Sequence, residues 1–403
     1  MNEAIDRCLV GKRVLVLDGE QRSALATVRS LGRRGVHVEV SEGRPSMAAA
    51  SRFCRHAHHL PKETPAQFVT RLREVLRDGA FDAFVPCTDA TLRQVYSAES
   101  PLATPMPYPR DPAKYVRLSD KYEVTRFAEI EGIDVPRQLV VHRQGQIDDA
   151  ISQLRAWPVV VKPARSVAIA GDSSSVDRAG VRYAESAAEL RRIAHEVPES
   201  LWPLLLQERI VGPGIGVFLF RHEGKILARF AHRRLREKPP SGGVSVYRES
   251  IAYPDVLGAA AERLLAALDW DGPAMIECKV DALTGRPYIM EINGRFWGSL
   301  QLGIDAGVDF PAIALAAVLG QSSPAAPPYR TGVRSRWWLG DVDHLMIRLR
   351  GRTDADLPPD APDLGHVVRD FLRLWRAGDH SEVLRWSDPK PAWRELKDWF
   401  ARR

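Results

Sequence analysis

The amino-acid sequence predicts a protein of mixed α/β and α+β class, with an α/β domain at the N-terminus and a small helical appendix at the C-terminus. Three observations carry this expectation. A strand, a helix and a second strand follow one another between Arg13 and Val40 at the spacing of a βαβ unit. Two short alternating runs between Ala274 and Arg295 flank a turn-rich segment and read as a β-hairpin. A chain of 403 residues also exceeds one ordinary hydrophobic core, so two to three domains are expected.

Composition excludes several classes. With 45% hydrophobic and 27% charged residues the chain is globular rather than disordered. Its 57 Lys+Arg and 51 Asp+Glu are interspersed, with no lysine-rich run or tail, which suits small polyanions better than nucleic acid. Cys8, Cys54, Cys87 and Cys278 are scattered without a C-x-x-C pair, so neither a disulfide framework nor a zinc site is encoded. Met1 to Lys12 lacks a cleavable apolar run, and no stretch approaches the ~20 apolar residues of a bilayer span. A cytoplasmic protein with no membrane and no nucleic-acid partner is expected.

In order, Arg13–Leu17 is an apolar strand ending at Asp18-Gly19, a helical pattern runs from about Ser23 to Arg34, and Val36–Val40 is the next strand. The glycine fingerprint of dinucleotide binding is absent here, so the unit reads as scaffold. Phe68–Leu76 is an amphipathic helix, Ala83–Pro86 a buried strand, and Thr88–Tyr96 a helix capped by Thr88 or Asp89. His56, His58 and His59 stand beside Cys54, but successive residues on a strand point apart, and the cluster is assigned no function. Five prolines between Pro101 and Pro112 make a stiff connection that closes the domain.

Ser119-Asp120-Lys121-Tyr122 then starts a helix that Gly132 stops. Lysine in a first turn opposes the helix dipole, so Lys121 reads as held for an anion. Val159-Val160-Val161-Lys162-Pro163 is a β-branched strand ending in a lysine beside the small-residue loop 164–180, the arrangement of a phosphate clamp. Leu204–Gly212 is a strand that runs into Gly212-Pro213-Gly214-Ile215-Gly216, where bare backbone groups can hydrogen-bond a flat heterocycle such as adenine. Phe230–Arg236 carries His232, Arg233, Arg234 and Arg236 ahead of Pro240-Ser241-Gly242-Gly243, an anion cradle for phosphate or carboxylate. Asp255–Ala267 is an amphipathic helix leading into the hairpin.

Symmetry of the hairpin about Thr284 places Val280 opposite Tyr288 and Glu277 opposite Glu291. Facing like charges destabilise a sheet at roughly 5 Å between Cβ atoms, so the pairing asks for a cation between them. Asn293 lies two residues on and shares their face, and Gly294 lets the backbone bend so that Arg295 aims at the same space. Oxygen ligands of this kind suit magnesium held together with nucleotide phosphates. The alternative is an edge hairpin whose glutamates face water. Beyond it come a helix at Phe310–Leu319, a linker at 321–329 and the appendix, which holds six of the 10 tryptophans. That content argues for packing back on the body; a partner-binding surface is the alternative.

Together, and in this order, the motifs resemble the ATP-grasp superfamily, represented by biotin carboxylase, the carbamoyl-phosphate synthetase large chain and D-alanine:D-alanine ligase. The resemblance spans about Lys12 to Gly320. Met290-Glu291-Ile292-Asn293-Gly294-Arg295 is similar to the family's E-x-N-x-R metal and phosphate motif, with Glu277 as the second metal carboxylate. Asp120-Lys121 and Val161-Lys162-Pro163 resemble the two nucleotide-binding lysines, and Gln207-Glu208-Arg209-Ile210 the adenine hinge. Residues 234–237, 240–245 and 294–299 look like a bacterial branch close to the carbamoyl-phosphate synthetase-like members. Many relatives place a ribose-binding acid where Ile215-Gly216 stands, so no ribose partner is assigned.

The resemblance implies an ATP-grasp fold: a Rossmann-like pre-ATP-grasp domain over 1–110, a small lid domain over 111–205, a catalytic domain over 206–325 and a helical extension over 326–403. It implies Glu277, Glu291 and Asn293 as ligands of Mg2+ or Mn2+. Lys121, Lys162, Gln207, Glu208, Ile210, Ser241, Gly242 and Gly243 are implied as nucleotide-binding, and Arg295 and Lys162 as catalytic. The implied activity is an ATP-dependent ligase that makes an acylphosphate from a small carboxylic acid and joins it to an amine or amino acid, releasing ADP and phosphate, with a possible homodimer. A non-catalytic nucleotide-binding scaffold is the alternative; the complete ligand set argues against it. A nucleic-acid binder would rest on the basic charge balance alone.

Overall fold

The computed structural model of the chain describes residues 3–60, 64–164, 168–169, 176–177, 181–240, 242–321, 328–351, 362–373, 376 and 378–402. In the N-terminal domain, β1 (Arg13–Val16), β2 (His37–Glu42), β3 (Cys54–His59) and β4 (Ala83–Val85) form a parallel sheet in the order β3-β2-β1-β4. Alternation along β1 explains why both faces are covered: Val14 and Val16 pack with Leu25 and Val28 of helix Arg22–Gly32, while Leu15 and Leu17 pack with Phe68 and Leu72 of helix Pro65–Asp78. The histidine run lies on the edge strand β3, where His58 pairs with Glu39 at 2.6 Å. Among the described residues no group of three or more His, Cys, Asp or Glu side chains is placed to hold a metal ion.

A helix that the sequence reading does not mark follows the proline-rich connection directly. Asp111 accepts a hydrogen bond from the Ala113 amide at 2.9 Å and caps a helix over Pro112–Ser119, with proline in the first turn where its missing N–H costs nothing. Asp120 caps the next helix, Lys121–Ile130.

A second sheet holds β5 (Gln138–Val141), β6 (Val159–Pro163), β9 (Arg182–Ala184) and β10 (Leu204–Glu208) in the antiparallel order β5-β10-β6-β9. Between β6 and β9, β7 (Ala168–Ile169) and β8 (Val176–Asp177) pair with each other; the rest of the small-residue loop from residue 165 lies outside the described residues.

The third sheet is the scaffold of the cleft. β11 (Gly214–His222), β12 (Lys225–Lys238), β13 (Val244–Ser250), β14 (Gly272–Val280), β15 (Pro287–Asn293), β16 (Arg334–Arg336) and β17 (Asp379–Ser381) are ordered β15-β14-β11-β12-β13-β16-β17. On the central strand, Val217 and Leu219 pack against Leu264 and Leu268 at helix Asp255–Ala267. Phe218 and Phe220 turn the other way, into a core shared with Trp297, Phe310 and the N-terminal domain's Leu25. No described helix is long and apolar enough to cross a membrane by itself.

The C-terminal segment is helical over Trp338–Leu349, Leu364–Leu372 and Lys390–Ala401, and it also does what its sequence does not suggest. β16 pairs antiparallel with β13, and β17 parallel with β16, so the sheet runs across the boundary expected at residue 325. The physical reason is the edge of β13, whose backbone groups would otherwise be unpaired. A buried ion pair ties the same segment to the first domain. Arg29 and Asp388, each with a side chain 1% exposed, meet at 2.9 Å. Arg29 also donates to the carbonyls of Glu382, Val383 and Asp388, and Asp388 accepts from the Ser51 hydroxyl and the Arg52 amide.

Candidate active site

The hairpin places the two acidic side chains as expected: Glu277 of β14 lies opposite Glu291 of β15. The register toward the turn differs. Val280 pairs with Pro287 and Lys279 with Tyr288, so Met290 is an extra, bulged residue. The bulge turns the Met290 carbonyl to Lys162, whose Nζ donates to it at 3.2 Å. Gly294 acts through its lack of volume. A Cβ there would come 2.3 Å from Leu118 and 2.9 Å from Trp270.

Each glutamate is balanced by its own cation. Arg234 of β12 meets Glu277 at 2.6 Å, and Lys121 meets Glu291 at 3.2 Å. Lys121 reaches the site because its amide donates to the Ala164 carbonyl at 2.9 Å, docking the start of helix Lys121–Ile130 onto the end of β6, where Lys162 stands. Burial raises the Glu277 carboxyl, with the Glu291 charge adding to the shift and Arg234 opposing it. Burial also opposes ionisation of Glu291, but Lys121 and Lys162 outweigh it and hold that carboxyl below its ordinary value. Burial, reinforced by Lys121, brings Lys162 down to about 8.

Asn293 and Arg295 join the cluster through side-chain bonds. Asn293 Nδ2 donates to Glu291 Oε1 at 3.2 Å, and its Oδ1 accepts from Arg295 Nη2 at 3.0 Å. Arg295 is further held by Asp89 at 2.6 Å, and Asp89 accepts from the Tyr115 hydroxyl at 3.0 Å. Thr88, not Asp89, caps helix Asp89–Tyr96, which frees the Asp89 carboxylate for this contact. Sequence reading missed Asp89 as a site residue; its position in the first turn beside the Thr88 cap was the only available signal.

The basic run of β12 is not a free anion cradle. Arg233 pairs with Glu249, Arg236 with Asp341, and Arg234 with both Glu277 and Glu237, because neighbouring elements supply an acid for each. His232 is fully buried, and burial keeps its imidazole neutral, assisted by the positive charges of Arg234 and Arg248. The Gly243 amide already donates to Glu237 at 3.0 Å and the Gly242 amide to the Pro239 carbonyl at 3.2 Å, so both loop amides are engaged by the protein's own acceptors. Glycine is required at 243 because a Cβ would lie 2.4 Å from the Lys238 carbonyl oxygen. Ser241 lies outside the described residues.

Lys162, Glu277, Glu291, Asn293 and Arg295 line one cleft of about 1040 Å³, together with Gln207, Glu208, Ile210, Gly242 and Gly243. Gln207 is 2% exposed and its amide is bonded to Gln138 at 2.7 Å, which anchors the hinge. Lys121 lies just behind this wall, in a small adjoining cavity that shares Asp89, Glu291 and Asn293. The first domain closes the other side with Arg22, Ser23, Thr88 and Asp89. Two facing carboxylates and an amide oxygen are an all-oxygen set that fits a magnesium-like cation completed by phosphate oxygens and water.

Residues 200–340 match the family model described as ATP-grasp in the biosynthetic pathway with Ter operon. The fold is similar to that of L-amino acid ligase from Bacillus licheniformis, with a TM-score of 0.58 and 15% identity over 81% of this chain and 79% of that one. It is also similar to N5-carboxyaminoimidazole synthetase from Staphylococcus aureus complexed with ADP, with a TM-score of 0.61 and 14% identity over 81% of each chain. A third similar structure is the biotin carboxylase domain dimer of Hydrogenobacter thermophilus 2-oxoglutarate carboxylase, with MgADP and bicarbonate. It has a TM-score of 0.62 and 13% identity over 80% of this chain and 73% of that one. No curated protein matches the sequence. The family match over residues 200–340, the similar structures and the order and pairing of the sheets show that the chain has an ATP-grasp fold.

Proposed function

We propose that the protein is an ATP-dependent ligase that converts a carboxylate to an acylphosphate and transfers the acyl group to an amine, with release of ADP and phosphate. The observation that carries this reading is the convergence of Lys162, Glu277, Glu291, Asn293 and Arg295 on one cleft, with Lys121 paired to Glu291 from the small cavity behind its wall. Lys121 and Lys162 bind the nucleotide phosphates, and Gln207 to Ile210 receive the adenine. Glu277, Glu291 and Asn293 would hold Mg2+ or Mn2+, which would supply neutralisation of the phosphate charge. Arg295, its guanidinium set by Asp89 and Asn293, is presented to the acylphosphate. The chain then contributes mainly position and charge, which is what phosphoryl transfer requires. The similar folds named above include an amino acid ligase and structures complexed with ADP, which supports the reading.

The direct test is a screen of amino acids and small carboxylic acids for stimulated ADP formation. Nucleotide binding without turnover across the screen would favour the scaffold alternative. Lys162 gives a second test. Its value of about 8 means that a phosphate beside it restores the ordinary lysine range, so binding takes up a proton. At pH 8 calorimetry in buffers of different ionisation enthalpy should read an uptake of about half a proton per ATP. Affinity should fall roughly tenfold between pH 7 and 9, because the neutral amine must first be protonated. Lys162→Ala should weaken binding and remove both effects; an unaltered affinity would take Lys162 out of the phosphate site.

A further inference from the structure

The cleft has a wall that the reading above does not use, and it is built by the C-terminal segment. On helix Lys390–Ala401, Glu395, Asp398 and Trp399 stand at helical spacing on one face, Arg402 follows as the residue capping its C-terminus, and all four line the cleft. Trp337 and Asp343 face them from helix Trp338–Leu349 and the residue before it. Two reciprocal bonds lock the pair of helices: Trp337 Nε1 donates to Glu395 Oε1 at 2.6 Å, and Trp399 Nε1 donates to Asp343 Oδ1 at 3.0 Å. Glu395 Oε2 has no hydrogen-bond partner among the described residues.

This wall stands beside the proposed phosphate centre. The Arg22 guanidinium lies 3.9 Å from the Trp337 ring centroid, and its Nη2 lies 2.8 Å from where a Gly298 Cβ would sit, three residues beyond Arg295. Arg22 is already committed to Glu382 at 2.7 Å. Trp297, which also lines the cleft, is 1% exposed, and its Nε1 has no hydrogen-bond partner among the described residues. A fixed carboxylate with one oxygen unpaired among the described residues, framed by indoles, is the chemistry that receives a primary ammonium group.

Resting on the ligase reading, we propose that this wall is the amine-acceptor subsite and that Glu395 takes a proton from the incoming primary ammonium substrate. The ammonium nitrogen loses one proton to the Glu395 carboxylate, and its freed electron pair forms the C–N bond at the acylphosphate carbonyl carbon. The C–O bond to phosphate breaks with its electron pair on the leaving oxygen. The second nitrogen proton goes to the phosphate, and Glu395 returns its own proton to water. The charged groups facing Glu395 are Arg22 from the first domain, Glu382 after β17 and Arg402 just past the end of its own helix, with Lys238 and Asp343 beyond Trp337. Burial raises the Glu395 carboxyl to about 7 against the Trp337 hydrogen bond and the two arginines, a value suited to proton transfer near neutral pH.

The test uses Glu395→Gln in the full chain, with the common amino acids supplied as acid and amine and, separately, hydroxylamine as the capturing nucleophile. Hydroxylamine is largely unprotonated at neutral pH and needs no base. Amide formation should fall roughly 100-fold, with hydroxamate formation reduced less than about threefold. Binding of ADP with the wild-type constant, read by calorimetry, shows that the variant is folded. Amide formation within threefold of wild type would overturn the subsite and leave the ligase reading standing, as would an equal loss of amide and hydroxamate. Absence of both products from the wild-type protein would remove the ligase reading, and this inference with it.

Discussion

Glu291→Gln is expected to lower substrate-stimulated ADP formation roughly 1000-fold while leaving the chain folded. The carboxylate faces Glu277 across the hairpin and Lys121 from the helix start, so the amide removes one charge from both relationships at once. Loss of the Lys121 pair costs stability, and loss of the repulsion with Glu277 offsets it, so the urea midpoint should move little. Activity should collapse because half of the carboxylate charge offered to the divalent cation is gone. A coupled assay for ADP and a urea titration followed by fluorescence measure the two halves of the prediction. Wild-type turnover in this variant would remove the proposed metal site.

Arg29→Met is expected to cost about 3–5 kcal/mol of stability, the scale for breaking a buried ion pair from one side. Methionine keeps part of the stem but makes none of the bonds to Asp388 or to the carbonyls of Glu382 and Val383. Asp388 retains the Ser51 hydroxyl and the Arg52 amide, and its charge stays buried without a cation. The effect should be read as a lower urea midpoint together with faster proteolysis between residues 379 and 402. A change below about 1 kcal/mol would mean that the C-terminal segment does not depend on this contact.

The parts of this architecture that could be read from the chain are those with a short period. Two-residue alternation located the hairpin and aligned Glu277 with Glu291, and helix Asp255–Ala267 was delimited by its pattern. The bulge at Met290 was not legible, since it arises where the strand accommodates Lys162 from another sheet. Asp89 escaped notice because its partner Arg295 lies 206 positions away. The same holds for the acids that neutralise Arg233, Arg234 and Arg236, which made a paired run look like an open cradle. Strand Arg334–Arg336 is short and charged, and only the uncovered edge of β13 gives it a reason to be a strand.

The clasp between Arg29 and Asp388 joins positions 359 apart. During synthesis the first domain therefore leaves the ribosome with a guanidinium that is destined for the interior and has no counter-ion yet made. Its final packing must wait until Asp388 has been made, so these distant stretches of the polypeptide mature together rather than in sequence.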